Sequence, residues 1–321
     1  MKILFHTIAL NRADLLKQTI ESIDTKHDWD LYIHVVSKDE DIIHYLSTNV
    51  APTGFMFRNP EELPCDWSAC SMVHYKDDKA SFVDYEDKHH KINVFVKEYG
   101  YNIGVATCFN EALQKGYKNN NYDYVFFVNS DIKFHPGDID KMIKLAEARP
   151  DKALITVCGT HGKHKEKWEG MNLSHGFAAA ILMPGAFKEV GYFDENIFPA
   201  YIEDCDYFYR LWLSRKMGPV KGDRISDKDS PLVECLLSGK THHEGSCVIY
   251  SDKKLFEANS RSHAQNNRYY LAKWGGLNDH EVNNKPFDEV DSLYIPEEVR
   301  SNPYPDYWDR SKEKERYYAT R

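Results

Sequence analysis

The stretch Tyr124–Asp131, YVFFVNSD, decides how the rest of the chain is read. Five apolar or aromatic residues, Tyr124 to Val128, run without a break into Asn129-Ser130-Asp131. An unbroken apolar run this short reads as a strand covered on both faces, the kind found inside parallel sheets. Ligands of open α/β sheets bind just beyond the carboxyl ends of such strands. An Asp at that place can hold a divalent cation against a diphosphate, because hard oxygen ligands suit Mg²⁺ and Mn²⁺. The plainer alternative is an Asp that caps a strand-to-helix loop.

Strand and helix signals alternate outward from this run. Lys2–Ile8 reads as a strand, and Ala13–Ile23 as a helix with Leu15, Leu16, Thr19, Ile20 and Ile23 at helical spacing, Asn11 being its expected N-cap. Leu31–Val36 and Ile92–Val96 read as further strands. Helices are expected over Val105–Lys115 and Ile139–Glu147, the second ended by Pro150. Ala153–Val157 and Ala178–Met183 are later strands, and Arg261–Gly276 is a partly buried helix. This order implies βαβ units and a mostly parallel sheet. Gly159–Gly170 and Lys221–Ser230 read as polar mobile loops, and the chain from Asn278 as an extended tail.

The chain has 321 residues, 42% of them hydrophobic and 13% aromatic, enough for a sizeable core in one large or two small domains. Its 41 basic and 50 acidic residues give a net charge of −9, which argues against general nucleic-acid binding. Seven cysteines, an odd count with no CxxC pair, fit reduced thiols and a cytoplasmic location better than a disulfide framework. The apolar run at the N-terminus is too short for a signal peptide, and no segment approaches a membrane span.

Seven segments, taken in order, resemble the family 2 glycosyltransferases of the GT-A fold over roughly residues 1–276. TIALNRADLLKQTIESI (7–23) is similar to the opening strand, Asn-Arg turn and first helix. YNIGVATCFNEAL (101–113) is similar to the N-x-G…N segment, and YVFFVNSDIKFHPGDI (124–139) to the D-x-D region with Asn in place of the first Asp. GFAAAILMPGAFKEVGYFDENIF (176–198) resembles the acceptor-side strand and G-x-F-D-E turn. IEDCDYFYRL (202–211) resembles the E-D-x-D…R helix start, THHEGS (241–246) the late histidine motif, and NNRYYLAKWGG (266–276) the terminal helix. One departure is Ser37, which stands where the family has an acidic residue after the second strand; Asp39 lies close by.

The resemblance implies a Rossmann-like α/β domain over 1–277, with a nucleotide-sugar half (about 1–135), an acceptor half (about 136–277) and a C-terminal extension (278–321) packed on it. It implies inverting, metal-dependent transfer of a hexosyl or pentosyl group from a nucleotide-diphosphate donor, a UDP-sugar first, to a hydroxyl acceptor such as a glycan. Asp131 would be the main protein ligand of Mn²⁺ or Mg²⁺, and Asp204 the base that deprotonates the acceptor. A second ligand would come from His242 or His243, with His242 preferred; an exposed turn beside Gly245 is the plain alternative. Donor contacts fall to Thr7, Ala9, Asn11, Arg12, Asn102, Gly104, Asn110, Asn129 and Ser130. Acceptor contacts fall to Gly176, Phe177, Glu203 and Trp168, because an aromatic face suits the C–H surface of a sugar. Acidic residues at a helix start also favour the dipole, so Glu203, Asp204 and Asp206 have an ordinary structural reading as well. Arg210 orients either a carboxylate or the sugar, or forms a salt bridge at the edge of the core.

Three other readings compete. A viral-type transferase could use a hydroxymethylated DNA base as acceptor, with HGKHKEK (161–167) and RSKEKER (310–316) on phosphates. A nucleotidyltransferase could use a similar sheet and metal, although no Gly-rich phosphate loop follows the first strand. An inactive binding module is disfavoured by the intact Asp131, Asp204 and His242.

Overall fold

Tyr124–Val128 is a strand, and its residues divide between two cores as an unbroken apolar run requires. Phe126 and Val128 join Ile3, Phe5 and Ile33 on one face of the sheet. Val125 and Phe127 join Leu4, Phe109 and Phe208 on the other. All four are buried, and each such side chain contributes about 1.5–3 kcal/mol by leaving water.

The computed structural model describes residues 1–37, 39–46, 94–98, 102–119, 122–161, 173–174, 176–217, 230–245 and 247–287. In chain order these contain β1 (Lys2–Ala9), α1 (Ala13–Glu21), β2 (Asp28–Val35), α2 (Glu40–Tyr45), β3 (Val94–Glu98) and α3 (Val105–Leu113), which runs into a π-helical turn over Gln114–Lys118. Then come β4 (Tyr124–Val128), β5 (Ile132–Lys133), α4 (Asp138–Ala148), β6 (Leu154–His161), β7 (Leu173–Ser174), β8 (Ala179–Leu182) and α5 (Pro184–Val190). The last elements are α6 (Glu203–Ser214), β9 (Val233–His243), α7 (Cys247–Tyr250) and α8 (Lys253–Trp274).

The strands form one sheet in the order β3-β2-β1-β4-β8-β6-β9-β5, with β7 on β6. The α/β class therefore stands. The first four strands are parallel, as βαβ units dictate, whereas β8 runs antiparallel to both β4 and β6, and β5 is antiparallel to β9. Among the described residues, β6 and β9 restore a parallel pair in the second half. Helices α1, α2 and α4 cover one face, through residues such as Leu16, Ile42 and Met142. Helices α3, α5 and α6 cover the other, through Phe109, Ala186 and Tyr207.

Two local expectations change. Arg12, not Asn11, is the N-cap of α1; it adopts a left-handed backbone (φ 62°) and makes no side-chain capping bond. The terminal helix starts eight residues earlier than expected, because Asp252 caps it by accepting from the backbone N–H groups of Lys254 and Leu255. Its end matches the Gly signal: Gly275 is left-handed and its N–H bonds back to Leu271.

The cysteines also depart from the expectation of reduced thiols. Cys158 on β6 and Cys235 on β9 form a disulfide, their Cα atoms 6.1 Å apart. They are 77 residues apart in sequence, and only the β6–β9 pairing brings them within bridging reach. Cys108 and Cys205 are in no disulfide. The cytoplasmic reading loses the support it drew from free thiols. Among the described residues no helix is long and apolar enough to cross a membrane. Of the tail, Asn278–Phe287 turns back onto α8, with the Phe287 N–H bonded to the Lys273 carbonyl; residues 288–321 lie outside the described set, as do 47–93.

Candidate active site

A cavity of about 470 Å³ opens at the carboxyl ends of β1, β2 and β4, where an α/β sheet is expected to bind its ligand. Ile8 and Leu10 line it from the end of β1, Val36 from the end of β2, and Asn129, Ser130 and Asp131 from the end of β4. Gly176 and Phe177 come from the turn before β8, Glu203 and Asp204 from the start of α6, and His243 from the end of β9. Pro199, Ala200 and Tyr201 form a wall, and Val248, Leu255 and Asn259 close it from α7 and α8.

Asp131 is placed by a tight turn. The Asn129 N–H bonds to the Ala178 carbonyl, and the Ile132 N–H returns to Asn129. The chain then pairs with β9, Ile132 opposite His243 and Lys133 opposite His242. Successive side chains of a strand point to opposite faces, so only one of the two histidines can reach Asp131. It is His243: its Nε2 lies 3.2 Å from Asp131 Oδ1. His242 points the other way, with Nδ1 2.8 Å from Thr160 Oγ1 and Nε2 3.2 Å from Glu244. It does not line the cavity.

Asp131 and His243 offer one carboxylate and one imidazole, both largely buried. Among the described residues no group of three or more His, Cys, Asp or Glu side chains forms a metal cage. The pair fits Mn²⁺ or Mg²⁺ taken up together with a substrate, since such ions complete their shell with water and phosphate oxygens.

The second carboxylate group is different in kind. Asp204 Oδ1 accepts the Cys205 N–H at 2.8 Å, at the positive end of α6. Glu203 Oε2 is buried without a hydrogen-bond partner. Burial, reinforced by the neighbouring Asp204 charge, pushes the Glu203 carboxyl up to about 8. Two carboxyl groups so close share their charge poorly, and the pair holds a proton at neutral pH. Asp206 belongs elsewhere: fully buried, it accepts from Trp274 Nε1 and Arg210 Nε. Arg210 is a structural residue, spanning Asp206 and the Val190 carbonyl.

The donor-side residues divide. Asn102, Asn129 and Ser130 line the cavity. Thr7 and Ala9 do not, because alternation along β1 turns them into the opposite core and presents Ile8 and Leu10 instead. Asn11 is tied by Nδ2 to the Val248 carbonyl, and Arg12 folds back on Asp14. Asn110 is a buried brace, exchanging bonds with the Phe193 backbone and reaching Glu195. Gly104 does not line the cavity; at φ 87°, with Phe198 2.5 Å from where a Cβ would lie, the position excludes a side chain. Asp39 is engaged as the cap of α2, accepting from Ile42 N–H. Trp168 and both basic stretches proposed for DNA, apart from His161, lie outside the described residues.

No protein-family model matches the chain. Among curated proteins, a galactofuranosyl glycosyltransferase of Leishmania donovani is 24% identical over 178 residues. The match covers 40% of this chain and 40% of that protein, so the chain spans well under half the length of the relative it matches. Among solved structures, TarS residues 1–349 of S. aureus align over 85% of this chain and 70% of that one, at 12% identity and a TM-score of 0.44. The mannosyltransferase PcManGT of Pyrobaculum calidifontis, in complex with GDP-Man and Mn²⁺, aligns over 84% and 63%, at 9% identity and a TM-score of 0.46.

Tyr201 and Asn259 are cavity residues that sequence reasoning passed over. Tyr201 has a left-handed backbone (φ 70°) and packs edge-on against His263. Nothing in the local sequence signals it, since a Tyr beside an Ile ordinarily reads as strand. Asn259 is buried on α8 among residues at helical spacing, and a polar residue on a buried helix face was the available signal.

Proposed function

We propose that this protein is a divalent-cation-dependent glycosyltransferase that moves a sugar from a nucleoside-diphosphate donor to a hydroxyl group of a glycan, with inversion. The observation that carries the reading is that one cavity holds both the Asp131–His243 pair and the Glu203–Asp204 pair. The two pairs suit the two ends of the reaction, diphosphate departure and hydroxyl attack. The relative named as a galactofuranosyl glycosyltransferase supports the same class.

In this reading Asn102, Asn129 and Ser130 supply polar contacts for the donor, and Ile8, Val36 and Phe109 exclude water around it. Asp131 and His243 would hold the cation. When bound, it would act as a Lewis acid on the leaving diphosphate. The acceptor oxygen attacks the anomeric carbon from the side opposite the diphosphate. As the new C–O bond forms, the bond to the phosphate oxygen breaks and its electron pair leaves with that oxygen. Asp204 takes the hydroxyl proton. Glu203, protonated at neutral pH, leaves the pair's negative charge on Asp204 and can donate a hydrogen bond to the acceptor.

A panel of UDP- and GDP-sugars, a galactofuranosyl donor included, tests this by thermal shift and sugar release with Mn²⁺, Mg²⁺ or EDTA. Metal-dependent stabilisation by one donor class, with slow sugar release, is expected. No response to any donor, with or without metal, would overturn the reading.

A further inference from the structure

We propose that Asn266, on α8, is a positioning residue for the carboxylates at the start of α6. This rests on the transferase reading above. Asn266 is fully buried and does not line the cavity. Its amide is committed to one short arm of the chain. Oδ1 accepts the Phe198 N–H at 3.1 Å, and Nδ2 donates to the carbonyls of Ala200 at 2.9 Å and Tyr201 at 3.1 Å. One side chain thus uses its acceptor and its donor group on three residues within the span 198–201.

That arm needs holding. Tyr201 and Ile202 are both left-handed, at φ 70° and 78°, a conformation that a β-branched residue such as Ile adopts only when its surroundings enforce it. Ile202 is the N-cap of α6, and its carbonyl accepts the Asp206 N–H. The direction in which Glu203 and Asp204 leave the arm is therefore set by these two residues. The other side of the arm is fixed to the donor half: the Pro199 carbonyl accepts the Val105 N–H at 2.7 Å, and Phe198 packs on Gly104. Asn266 completes a grip that registers the acceptor-side carboxylates against the nucleotide side of the cavity.

Helix α8 does not depend on Asn266 for its attachment. Leu255 and Ala258 pack on Phe198, and Lys273 and Trp274 bond to Asp206. Loss of the amide should therefore loosen the arm and leave the helix docked.

The test uses the full chain with Asn266→Ala and Asn266→Asp. The Asp variant keeps the shape and the acceptor but loses both donors, so it serves if the Ala variant does not fold. Hydrogen exchange over 198–206 is measured with donor affinity and transfer kinetics. The expected result is exchange faster by about tenfold at the arm alone, donor Kd within about twofold of wild type, and kcat lower by roughly 10- to 100-fold, as small misplacements of reacting groups cause. Unchanged exchange at the arm overturns the proposal. So does a loosened arm with kcat within about twofold, or an equal loss of donor binding, kcat and global stability. A wild-type protein that transfers no sugar removes the transferase reading; the exchange measurement then still decides whether Asn266 holds the arm.

Discussion

Lys273 and Asp206 form a buried ion pair, Nζ to Oδ1 at 2.6 Å, that ties the last turn of α8 to the first turn of α6. The same lysine lies 2.7 Å from Asp194, whose carboxyl stays below its ordinary range because Lys273, Asn196 and Tyr269 together outweigh the effect of burial. Asp206 in turn holds Trp274 and Arg210. Removing one member strands the others away from water. Asp206→Ala should therefore cost about 3–5 kcal/mol, read as the shift in urea unfolding free energy. A loss below about 1 kcal/mol would mean that the network merely decorates an interface held by packing.

His243 and His242 should separate cleanly. His243→Ala removes the imidazole beside Asp131 and should lower metal-dependent transfer by about 10- to 100-fold, a loss relieved in part by raised Mn²⁺. His242→Ala disturbs the contacts with Thr160 and Glu244, away from Asp131, and should leave the metal response near wild type. Mn²⁺ titrations of both variants decide it; a reversed order would restore His242 as the partner of Asp131. Asp131→Ala should abolish metal-dependent donor binding.

Much of the first half was legible because it obeys simple patterns. The run at 124–128 is buried on both faces, and α1 shows its apolar residues at helical spacing. Asp131, Asn129 and Phe177 reach the cavity because strand ends and the turns after them set their place. What failed depended on pairings that are distant in sequence. The choice between His242 and His243 is fixed by the two-residue ladder of β5 with β9, and β9 carries no alternating pattern to announce it. The Cys158–Cys235 disulfide and the Asn266 bonds likewise exist only once strands and helices far apart in sequence have met. Thr7 and Ala9 were one residue out of phase, the error that a period of two penalises most.

Glu203 and Asp204 should respond differently to amide replacement. Asp204→Asn should remove transfer and leave donor binding intact; near-normal turnover would sink its role as base. Glu203 has a raised folded pKa, so its contribution to stability is full below the ordinary carboxylate range and is lost as pH rises toward about 8. Glu203→Gln mimics the protonated form. Its Tm should exceed that of wild type at pH 8 and converge with it near pH 5. A Tm difference that does not change with pH would show that Glu203 is ionised throughout.

A buried polar chain begins at His6, which packs edge-on against the cavity-lining Phe109. His6 Nε2 lies 2.7 Å from His34 Nδ1, and His34 Nε2 lies 2.9 Å from Glu111 Oε2, which Lys97 also contacts. The carboxylate accepts a hydrogen bond from His34 Nε2–H, so in the neutral ring His34 Nδ1 must accept and His6 Nε2 must donate. His6 Nδ1 is buried with no partner, as suits a neutral ring; protonating it would bury an N–H that nothing accepts. Burial accordingly holds both histidines below their ordinary pKa, against the pull of Glu111. The unfolded chain then binds more protons than the folded one once pH falls below about 6.5. The histidines' contribution to stability should be level above that value and should fall below it, by up to about 1.4 kcal/mol per pH unit for each histidine, while Glu203 acts in the opposite sense across the same range. Glu111 is held below the usual carboxylate range by His34 and Lys97 despite its burial, and so it adds nothing to the change between pH 7.5 and 5.5. Urea unfolding at pH 7.5, 6.5 and 5.5 in a Glu203→Gln background, which removes that opposing titration, measures the slope. His6→Gln, which keeps a donor for His34 Nδ1, should flatten it, whereas a stability constant across this range in the Glu203→Gln background would mean that the pair is already protonated in the folded protein.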